Sequence, residues 1–425
     1  MFKEIIGNIY PYINQKEALF TLIYSIIFWI SIGFTAITII FLLPIFILAG
    51  VLYFYYYKLT YKDFPQGLQL EKLENKIIHK HSPNLIFHHF NKIYSVKSCN
   101  KRYESFIHFL YVPSIQKTKE TLVLLHGTSS SATCLSNVYK YLNNIFNIIA
   151  IDLPGFGRSK VKNFDNIRKE VGVMYYIDLL KEFFKTEKLN NVILAGHSWG
   201  GYIASSYSVH HKIYVKQLML IEPPGLLPTM GNYGAYWAFV FKYKVMHLPK
   251  HLGKVGLMCA QSFFHLFNYE LNALYSYILN NNENNWGPDI LADHITYGWT
   301  GGYWNSAIIQ KLINVSVPFT VFYGEKDLII PKDQKILLDK LYPESCVVLK
   351  ECGHSPHTEH PKELSYKMLY SYRNMKNYRK HIKMNVKTIQ DYFIDIHHLE
   401  NFKSTFNPSY TKKITDILYK KYYLL

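Results

Sequence analysis

The sequence predicts a mostly parallel, doubly wound α/β sheet with an insertion, preceded by a long apolar segment. Two observations predict the sheet. Short apolar runs rich in β-branched residues recur at 121–125, 145–151, 191–195, 217–221, 318–323 and 346–349. Helix-like segments lie between several of them, as in 171–187, where apolar residues recur three and four positions apart. Such alternation is typical of parallel strands covered by helices on both faces.

The third observation is a run of 40 residues, 18–57, without a charged side chain. It is far longer than the ~7–15 apolar residues of a cleaved signal peptide, so we expect a retained membrane anchor. A helix rising about 1.5 Å per residue would span the ~30 Å hydrocarbon layer about twice. Two short helices turning near 33–38, or one tilted span broken at Pro44, both fit.

The lysines around this segment predict its orientation. Five follow it, at positions 58, 62, 72, 76 and 80, whereas two precede it, at positions 3 and 16. Because basic residues accumulate on the cytoplasmic side of a span, we expect a membrane-associated protein whose large C-terminal part is cytoplasmic.

Composition and periodicity divide the chain into seven parts. They are an N-terminal segment 1–17, the anchor 18–57, a linker 58–100, a first core part 101–225, an insertion 226–317, a second core part 318–370 and a basic tail 371–425. The insertion shows no convincing strand, and we expect it to be helical.

Net charge indicates which kinds of partner the chain can bind, and cysteine usage indicates whether it holds disulfides or zinc. The chain carries a formal charge of +17, and the residues from Pro361 onward combine thirteen Lys/Arg and five Asp/Glu with Tyr and Met. This mixture favours contact with anionic membrane headgroups, and no nucleic-acid recognition fold accompanies it. The five cysteines lack C-x-x-C spacing, which argues against a disulfide framework or structural zinc. We expect neither a metal nor an organic cofactor.

A Gly-His-Ser-Trp-Gly sequence at 196–200 joins a predicted strand to a predicted helix. A serine in this turn projects from the C-terminal edge of the sheet, and Gly196 and Gly200 let the backbone pack closely around it. Ser198 is therefore the candidate nucleophile. The helix that begins at Trp199 directs its first amides at the same place, where they would stabilise an oxyanion.

The serine needs a base, and the base needs a carboxylate. Asp327 follows the strand at 318–323, and His354 follows the strand at 346–349. Glu222 is a rival for the acid, and His357 and His360 are rivals for the base. We favour His354 because it directly follows the glycine that ends the strand.

A second oxyanion donor is expected from the loop after the strand at 121–125. The amide of Thr128 can face the same point as the amide of Trp199, whereas His126 is interpreted as a structural loop histidine. Residues 152–159 are interpreted as a turn that shapes the pocket, because Gly155 and Gly157 lack the G-x-G-x-x-G spacing of a phosphate-binding loop.

The motifs HG, DLPGFGRS, GHSWGG, GEKDLIIP and GHSPHTEHP, spread over residues 100–370, resemble the α/β-hydrolase superfamily. LIEPPGLLP and ITYGWTGGYW are similar to its branch containing lysophospholipid acyltransferase/lipase-activator proteins, N-acylphosphatidylethanolamine lipase and cardiolipin-specific deacylase. The chain has Pro224 where that branch typically has tryptophan. It has Glu359 at the place of an aspartate associated with acyltransferase activity.

The resemblance implies that the insertion is a lid over the site. Four of the six tryptophans fall in it, and Trp237, Trp299 and Trp304 are candidates for contact with an acyl chain, with ordinary lid packing as the equal alternative.

These observations lead us to expect a membrane-anchored serine hydrolase that cleaves an ester or N-acyl bond of a lipid, such as a phospholipid or lysophospholipid. Two alternatives stay open. A lysophospholipid or alcohol could replace water, which would make the protein an acyltransferase, or the chain could be a non-catalytic regulator of another lipase. The sequence indicates no particular protein partner.

Overall fold

A computed structural model describes residues 47–48, 70–225 except 129, 163–171 and 212, and then 295–298, 301–304 and 315–374 except 316, 328, 331–334, 337 and 340–341. The chain divides into two units, 1–68 and 69–425. Within the first unit only Ile47 and Leu48 are described, and they are helical and exposed.

The predicted anchor at 18–57 thus lies outside the described residues apart from these two positions, as does the tail from residue 375 onward. Among the helices that the structure describes, none is both long enough and apolar enough to cross a bilayer.

The described strands, numbered in chain order, are β1 (His88–Ser98), β2 (Lys101–Val112), β3 (Thr121–Leu125), β4 (Asn147–Ile151), β5 (Lys160–Val161), β6 (Val192–His197), β7 (Val215–Ile221), β8 (Ile295–Gly298), β9 (Gly301–Trp304), β10 (Phe319–Gly324) and β11 (Cys346–Leu349). The described α-helices are α1 (Leu70–His81), α2 (Ser136–Leu142), α3 (Val173–Thr186), α4 (Trp199–His210), α5 (Pro356–Glu359) and α6 (Pro361–Arg373).

One sheet has the order β1-β2-β4-β3-β6-β7-β10-β11, and β5 pairs with β2. Neighbours from β4 to β11 are parallel, whereas β1 and β2 pair antiparallel, as do β2 and β4. Every residue of β6 and β10 is buried, as expected for strands covered on both faces. The predicted mostly parallel α/β sheet is confirmed.

Two apolar clusters lie on opposite faces of the sheet. One contains residues of α3 and α4, including Phe183 and Tyr207. The other contains residues of α1, α2 and α6, including Ile78, Leu142 and Met368. Burial of these side chains provides the main stabilisation of the fold, at roughly 25 cal/mol per Å² of apolar surface.

The strand order positions the site. After β3 the chain crosses to β4 on one side, and later to β6 on the other side. Loops that leave such a switch point diverge, so a crevice opens at the C-terminal ends of β3 and β6.

Two predictions about organisation are wrong in part. The expected linker at 58–100 contains α1 and β1, and β1 pairs with β2 along its whole length. The first six residues of β1 are exposed or half-buried, so they lack the apolar alternation of a recognisable strand. The insertion, expected without strands, contains the antiparallel pair β8 and β9, each of four residues. Strands this short give almost no periodic signal.

Candidate active site

Ser198 lies between the last residue of β6 and the first residue of α4, with φ 48° and ψ −120°. A positive φ is unfavourable for a residue with a side chain, so surrounding packing must hold it. A Cβ added to Gly196 would clash with the backbone of Gly200, and one added to Gly200 would lie 2.5 Å from the carbonyl oxygens of Leu125 and His126. Both glycines are therefore required for this tight turn between strand and helix.

His354 links Ser198 to Asp327. Its Nε2 lies 3.1 Å from Ser198 Oγ, and its Nδ1 lies 2.8 Å from Asp327 Oδ2. Because a carboxylate can only accept a hydrogen bond, Nδ1 carries the ring proton and its N–H donates a hydrogen bond to Asp327. Nε2 is then unprotonated and accepts a hydrogen bond from Ser198 Oγ–H. The structure thus brings together the three residues that the sequence singled out, each just after a parallel strand.

Asp327 is 4% exposed, and it is held on both oxygens. Oδ1 accepts the N–H groups of Ile329 at 2.6 Å and Ile330 at 3.2 Å, while Oδ2 accepts His354. Burial raises the pKa of this carboxyl, but the hydrogen bond and charge of His354 outweigh burial and lower the pKa to about 2. Asp327 is therefore ionised at neutral pH and can stabilise an imidazolium.

Two further histidines pack beside His354. His197 donates its Nε2–H to the carbonyl oxygen of His354 at 2.8 Å, and its ring packs against His357 at an interplanar angle of 60° with centroids 4.4 Å apart. Burial, reinforced by His354, lowers the pKa of His357 to about 3 and that of His197 far below its ordinary value. Both rings stay neutral at neutral pH, and His197 fixes the backbone that carries His354.

Among the described residues, the rival bases are not bonded to the candidate nucleophile or acid. In the described part of the chain, neither His357 nor His360 has a hydrogen bond to Ser198 or Asp327. His360 is half-buried and lies 3.9 Å from Glu363 on α6.

Glu359 forms hydrogen bonds to the backbone of the loop that carries His354. Its Oε2 accepts the N–H of Gly353 at 2.7 Å, and its Oε1 accepts the N–H of Ser355 at 3.0 Å. These two amides flank His354 directly. The sequence marked Glu359 as a departure from a family pattern, but only the fold of this loop reveals the contact.

The loop after β3 approaches Ser198 from the other side of the crevice. A Cβ added to Gly127 would lie 3.0 Å from Ser198 Cβ, and Thr128 is the next residue. His126 donates Nδ1–H to Gly127 O at 2.7 Å and accepts Leu153 N–H on Nε2 at 2.9 Å. With both ring nitrogens bonded to backbone, His126 is a structural histidine, as expected. Trp199 is the first residue of α4, so its amide lies at the helix N-terminus beside Ser198.

A buried polar cluster lies at the β2 side of the sheet. The possible ligand atoms of Glu74, His89 and His108 lie within 4.8 Å of one another. Arg158 Nη1 lies 3.2 Å from Glu74 Oε2, 3.2 Å from His89 Nδ1 and 3.3 Å from His108 Nε2. The guanidinium of Arg158 therefore already supplies a cation to these three groups.

Asp152 connects this cluster to the turn at 152–159. Its carboxylate accepts His108 Nδ1–H at 2.7 Å, Ala132 N–H at 2.7 Å and Arg158 N–H at 2.8 Å. A Cβ on Gly157 would clash with the same carboxylate. The turn is folded around a buried aspartate, consistent with a structural role.

The predicted lid contacts lie outside the described side chains. Trp237 and Trp299 lie outside the described residues, and Trp304 ends β9, for which the structure describes only the backbone pairing.

Known proteins provide an independent comparison. A family model for the alpha/beta hydrolase fold matches residues 120–361, more than half of the chain. A rice protein named "Probable 1-acylglycerol-3-phosphate O-acyltransferase" is 25% identical over 238 residues, covering 50% of this chain and 57% of the rice protein. An Arabidopsis thaliana 1-acylglycerol-3-phosphate O-acyltransferase is 36% identical over 105 residues, a quarter of each chain. The chain thus spans about half of the first relative and a quarter of the second.

Human 1-acylglycerol-3-phosphate O-acyltransferase ABHD5 is 24% identical over 273 residues, covering 59% of this chain and 76% of that protein.

Solved structures share the fold. Carboxylesterase CesB from Bacillus subtilis aligns with a TM-score of 0.52 at 17% identity, over 71% of this chain and 96% of that chain. Naproxen esterase from Bacillus subtilis aligns with a TM-score of 0.51 at 14% identity, over 72% of this chain and all of the esterase. With the family match over 120–361, these findings confirm the resemblance seen in the motifs: the chain belongs to the α/β-hydrolase fold family.

Proposed function

We propose that this protein is a serine hydrolase that cleaves an ester or N-acyl bond of a lipid, with Ser198 as nucleophile, His354 as base and Asp327 as the residue that orients it. The observation that carries the proposal is the hydrogen-bonded series from Ser198 Oγ through His354 to Asp327, with distances of 3.1 and 2.8 Å. Family membership supports it, since relatives and structural neighbours include acyltransferases and esterases.

The reaction would begin with attack of Ser198 Oγ on the acyl carbonyl carbon. His354 Nε2 takes the hydroxyl proton, and the new imidazolium lies against ionised Asp327. The carbonyl oxygen becomes an oxyanion, for which the amides of Thr128 and Trp199 are the candidate donors. Collapse of the intermediate breaks the bond to the leaving alcohol or amine, which receives the proton from His354, and leaves an acyl-Ser198.

Water would complete the cycle. His354 takes a proton from water, the resulting hydroxide attacks the acyl carbon, and Ser198 Oγ leaves and regains its proton from His354. None of these steps routes a proton through His197 or His357, because both rings are buried and resist protonation. Their neutrality leaves His354 as the group that accepts the proton.

A lipid substrate is proposed from the names of the relatives and from the two segments expected to contact a membrane. The rice, Arabidopsis and human relatives are named for transfer to an acylglycerol phosphate. The uncharged run at 18–57 and the basic tail would hold the chain at a membrane, with the hydrolase domain on its cytoplasmic side. Both features favour a substrate that resides in the bilayer.

Acyl transfer is the second candidate, and the names of the relatives favour it. It needs only one change: the hydroxyl of a lysophospholipid, rather than water, gives its proton to His354 and attacks the acyl-serine. A non-catalytic regulator is less well supported, because Ser198, His354 and Asp327 are all present and correctly spaced.

A fluorophosphonate probe and a lipid assay would test these candidates. We expect the probe to label the wild-type protein but not Ser198→Ala. Ser208→Ala, a matched change on α4, is the control and should be labelled. Absence of labelling in folded protein would favour the regulator. With a phospholipid carrying a labelled acyl group, release of free fatty acid indicates hydrolysis. Appearance of the label on added lysophospholipid indicates acyl transfer.

A further inference from the structure

Glu222 is a fully buried acidic residue directly after β7, and it adopts a φ of 45°. Its own N–H donates to Phe322 O at 2.9 Å, and Gly324 N–H donates to its Oε1. Both contacts are with β10, the strand that leads to Asp327. Glu222 is therefore fixed rigidly beside the candidate triad.

The second oxygen of Glu222 has a different environment. In the part of the chain that the structure describes, no N–H or O–H donates to Oε2. Yet one oxygen of Glu222, one oxygen of Asp327 and one ring nitrogen of His354 lie within 4.8 Å of one another. A buried carboxylate oxygen without a donor is costly, and a second ionised carboxylate beside it adds repulsion. A proton on Oε2 removes both penalties, because the oxygen then becomes a donor and Asp327 its acceptor.

The surrounding charges agree with this assignment. Among the described residues, the titratable groups near Glu222 are His354 and Asp327, Lys335 beyond β10, Tyr323 on β10, Cys346 on β11 and Cys352 after β11. Lys335 is 9% exposed and donates Nζ–H to Gly324 O, and its charge lowers the pKa of Glu222. Burial, followed by the hydrogen bond and charge of Asp327, nevertheless raises that pKa well above its ordinary value. The pKa of Asp327 is lowered, so the pKa values of the two carboxyl groups shift in opposite directions.

We propose that Glu222 is a neutral carboxylic acid that donates a hydrogen bond from Oε2 to Asp327 and acts as a positioning residue for the Ser198–His354–Asp327 series. The inference rests on the proposed function. One proton on Glu222 leaves the pair with a single negative charge, which matches the single positive charge of the imidazolium formed during reaction. Two negative charges would favour an imidazolium in the resting enzyme, which could not take the serine proton.

The proton itself can be observed without any activity. In the infrared spectrum of the full chain at pH 7, labelled with ¹³C-glutamate, we expect the carbonyl stretch of a protonated carboxylic acid. The band should be lost in Glu222→Gln and retained in Glu104→Gln, which removes an exposed carboxylate paired with Lys162. Absence of the band in wild type, or its persistence in Glu222→Gln, would overturn the proposal.

Kinetics would test the positioning role. Glutamine keeps both functions of a neutral acid, since its Oε1 accepts Gly324 N–H and its amide group donates to Asp327. We expect Glu222→Gln to keep kcat within about threefold, with the acid limb of kcat/KM unmoved. Glu222→Leu should lower kcat roughly 10- to 100-fold with little change in KM, as expected for loss of a hydrogen bond to a charged group.

Two kinetic results would contradict the inference. If Glu222 is ionised, Glu222→Gln removes a negative charge and the acid limb moves to lower pH. If Glu222→Leu folds and keeps full kcat, the residue does not position the triad. Should Glu222→Leu not fold, the infrared comparison decides. Failure of the proposed function would be seen separately, as absence of Ser198-dependent probe labelling with the Glu222 band still present.

Discussion

Glu359 accepts hydrogen bonds from both peptide N–H groups that flank His354, those of Gly353 and Ser355. In the branch that this chain resembles, the corresponding place holds an aspartate that is associated with acyl transfer. In this structure the carboxylate fixes the backbone of the candidate base. Hydrolysis and transfer both use that base, so the contact serves either reaction.

We predict that Glu359→Ala lowers kcat roughly tenfold and leaves KM almost unchanged. The loop loses two charge-assisted hydrogen bonds, and the exposure of Glu359 keeps the loss at the low end of the range for such bonds. Hydrolysis and any transfer to lysophospholipid should fall by the same factor. Glu363→Ala, which removes a half-buried glutamate of α6, is the control. A selective loss of transfer would instead assign Glu359 to the acceptor site.

Removal of the candidate nucleophile gives the second prediction. Ser198→Ala should reduce hydrolysis of a short-chain p-nitrophenyl ester by roughly 10⁴ or more, because only binding and the oxyanion donors remain. Ser208→Ala removes a hydroxyl on α4, the helix that follows Ser198; this hydroxyl donates to Ala204 O at 2.9 Å, and the variant should retain activity. Substantial ester hydrolysis by pure, folded Ser198→Ala would refute the assignment.

The third prediction ranks the two acids. Asp327→Asn should lower kcat by ~10⁴, because an amide beside His354 Nδ1 favours the wrong tautomer. Glu222→Gln should have a far smaller effect, since the hydrogen bond from His354 Nδ1 is accepted by Asp327 Oδ2, at 2.8 Å, and not by Glu222. The measurement is kcat for both purified variants at one pH. The opposite ranking would move the acid to Glu222.

Much of this site could be predicted because its residues follow buried strands. The predicted runs at 121–125 and 346–349 coincide with β3 and β11, and Ser198 and Asp327 lie in turns that strand endings indicate. The hairpin of β1 and β2 could not be found in this way. Its turn is formed by Cys99 and Asn100, both at positive φ, without the glycine that usually marks such a turn.

The parts of the site that the sequence could not reveal depend on contacts between segments that are distant in the chain. The proton of Glu222 follows from its distance to Asp327, and these residues are about a hundred positions apart in the chain. The hydrogen bond from His197 to the carbonyl oxygen of His354 likewise joins the end of β6 to the loop after β11. Periodicity identifies elements and their ends, but it carries no information on such distances.

A fourth prediction concerns stability. Burial raises the pKa of Asp152, but the charge and hydrogen bond of His108 outweigh it, and the pKa falls to about 2. Asp152→Asn should lower the free energy of unfolding at pH 7 by about 3 kcal/mol, as is typical when a buried ionic partner is removed.

The stability difference between Asp152→Asn and wild type should depend on pH. A carboxyl with a lowered folded-state pKa contributes its full stabilisation above its unfolded value, near 4, and loses it as pH falls towards about 2. Urea unfolding of both proteins between pH 7 and pH 3 would measure this. A constant difference would show that Asp152 stabilises through packing and not through its charge.

The last prediction is that the basic C-terminal residues bind membranes in addition to the N-terminal segment. Deletion of residues 1–60 removes the uncharged run but leaves α6 and the basic tail, which from Pro361 onward carry thirteen Lys/Arg against five Asp/Glu. Each basic residue near an anionic surface contributes about 1 kcal/mol, so even four or five simultaneous contacts give measurable binding. We expect the truncated protein to sediment with anionic vesicles at low salt, and to be released as salt screens the attraction.

Two comparisons make this test specific. Neutral vesicles should retain much less of the truncated protein, because apolar contact is not expected to hold it alone. A second variant should replace five cations of the tail by glutamine and lose most of the binding to anionic vesicles; the five are Lys376, Arg379, Lys380, Lys383 and Lys387. If the truncated protein does not bind anionic vesicles at low salt, the tail is a solvated basic segment. Attachment would then depend on the N-terminal run at 18–57, whose hydrophobic insertion should resist high salt, whereas electrostatic binding by the tail should not.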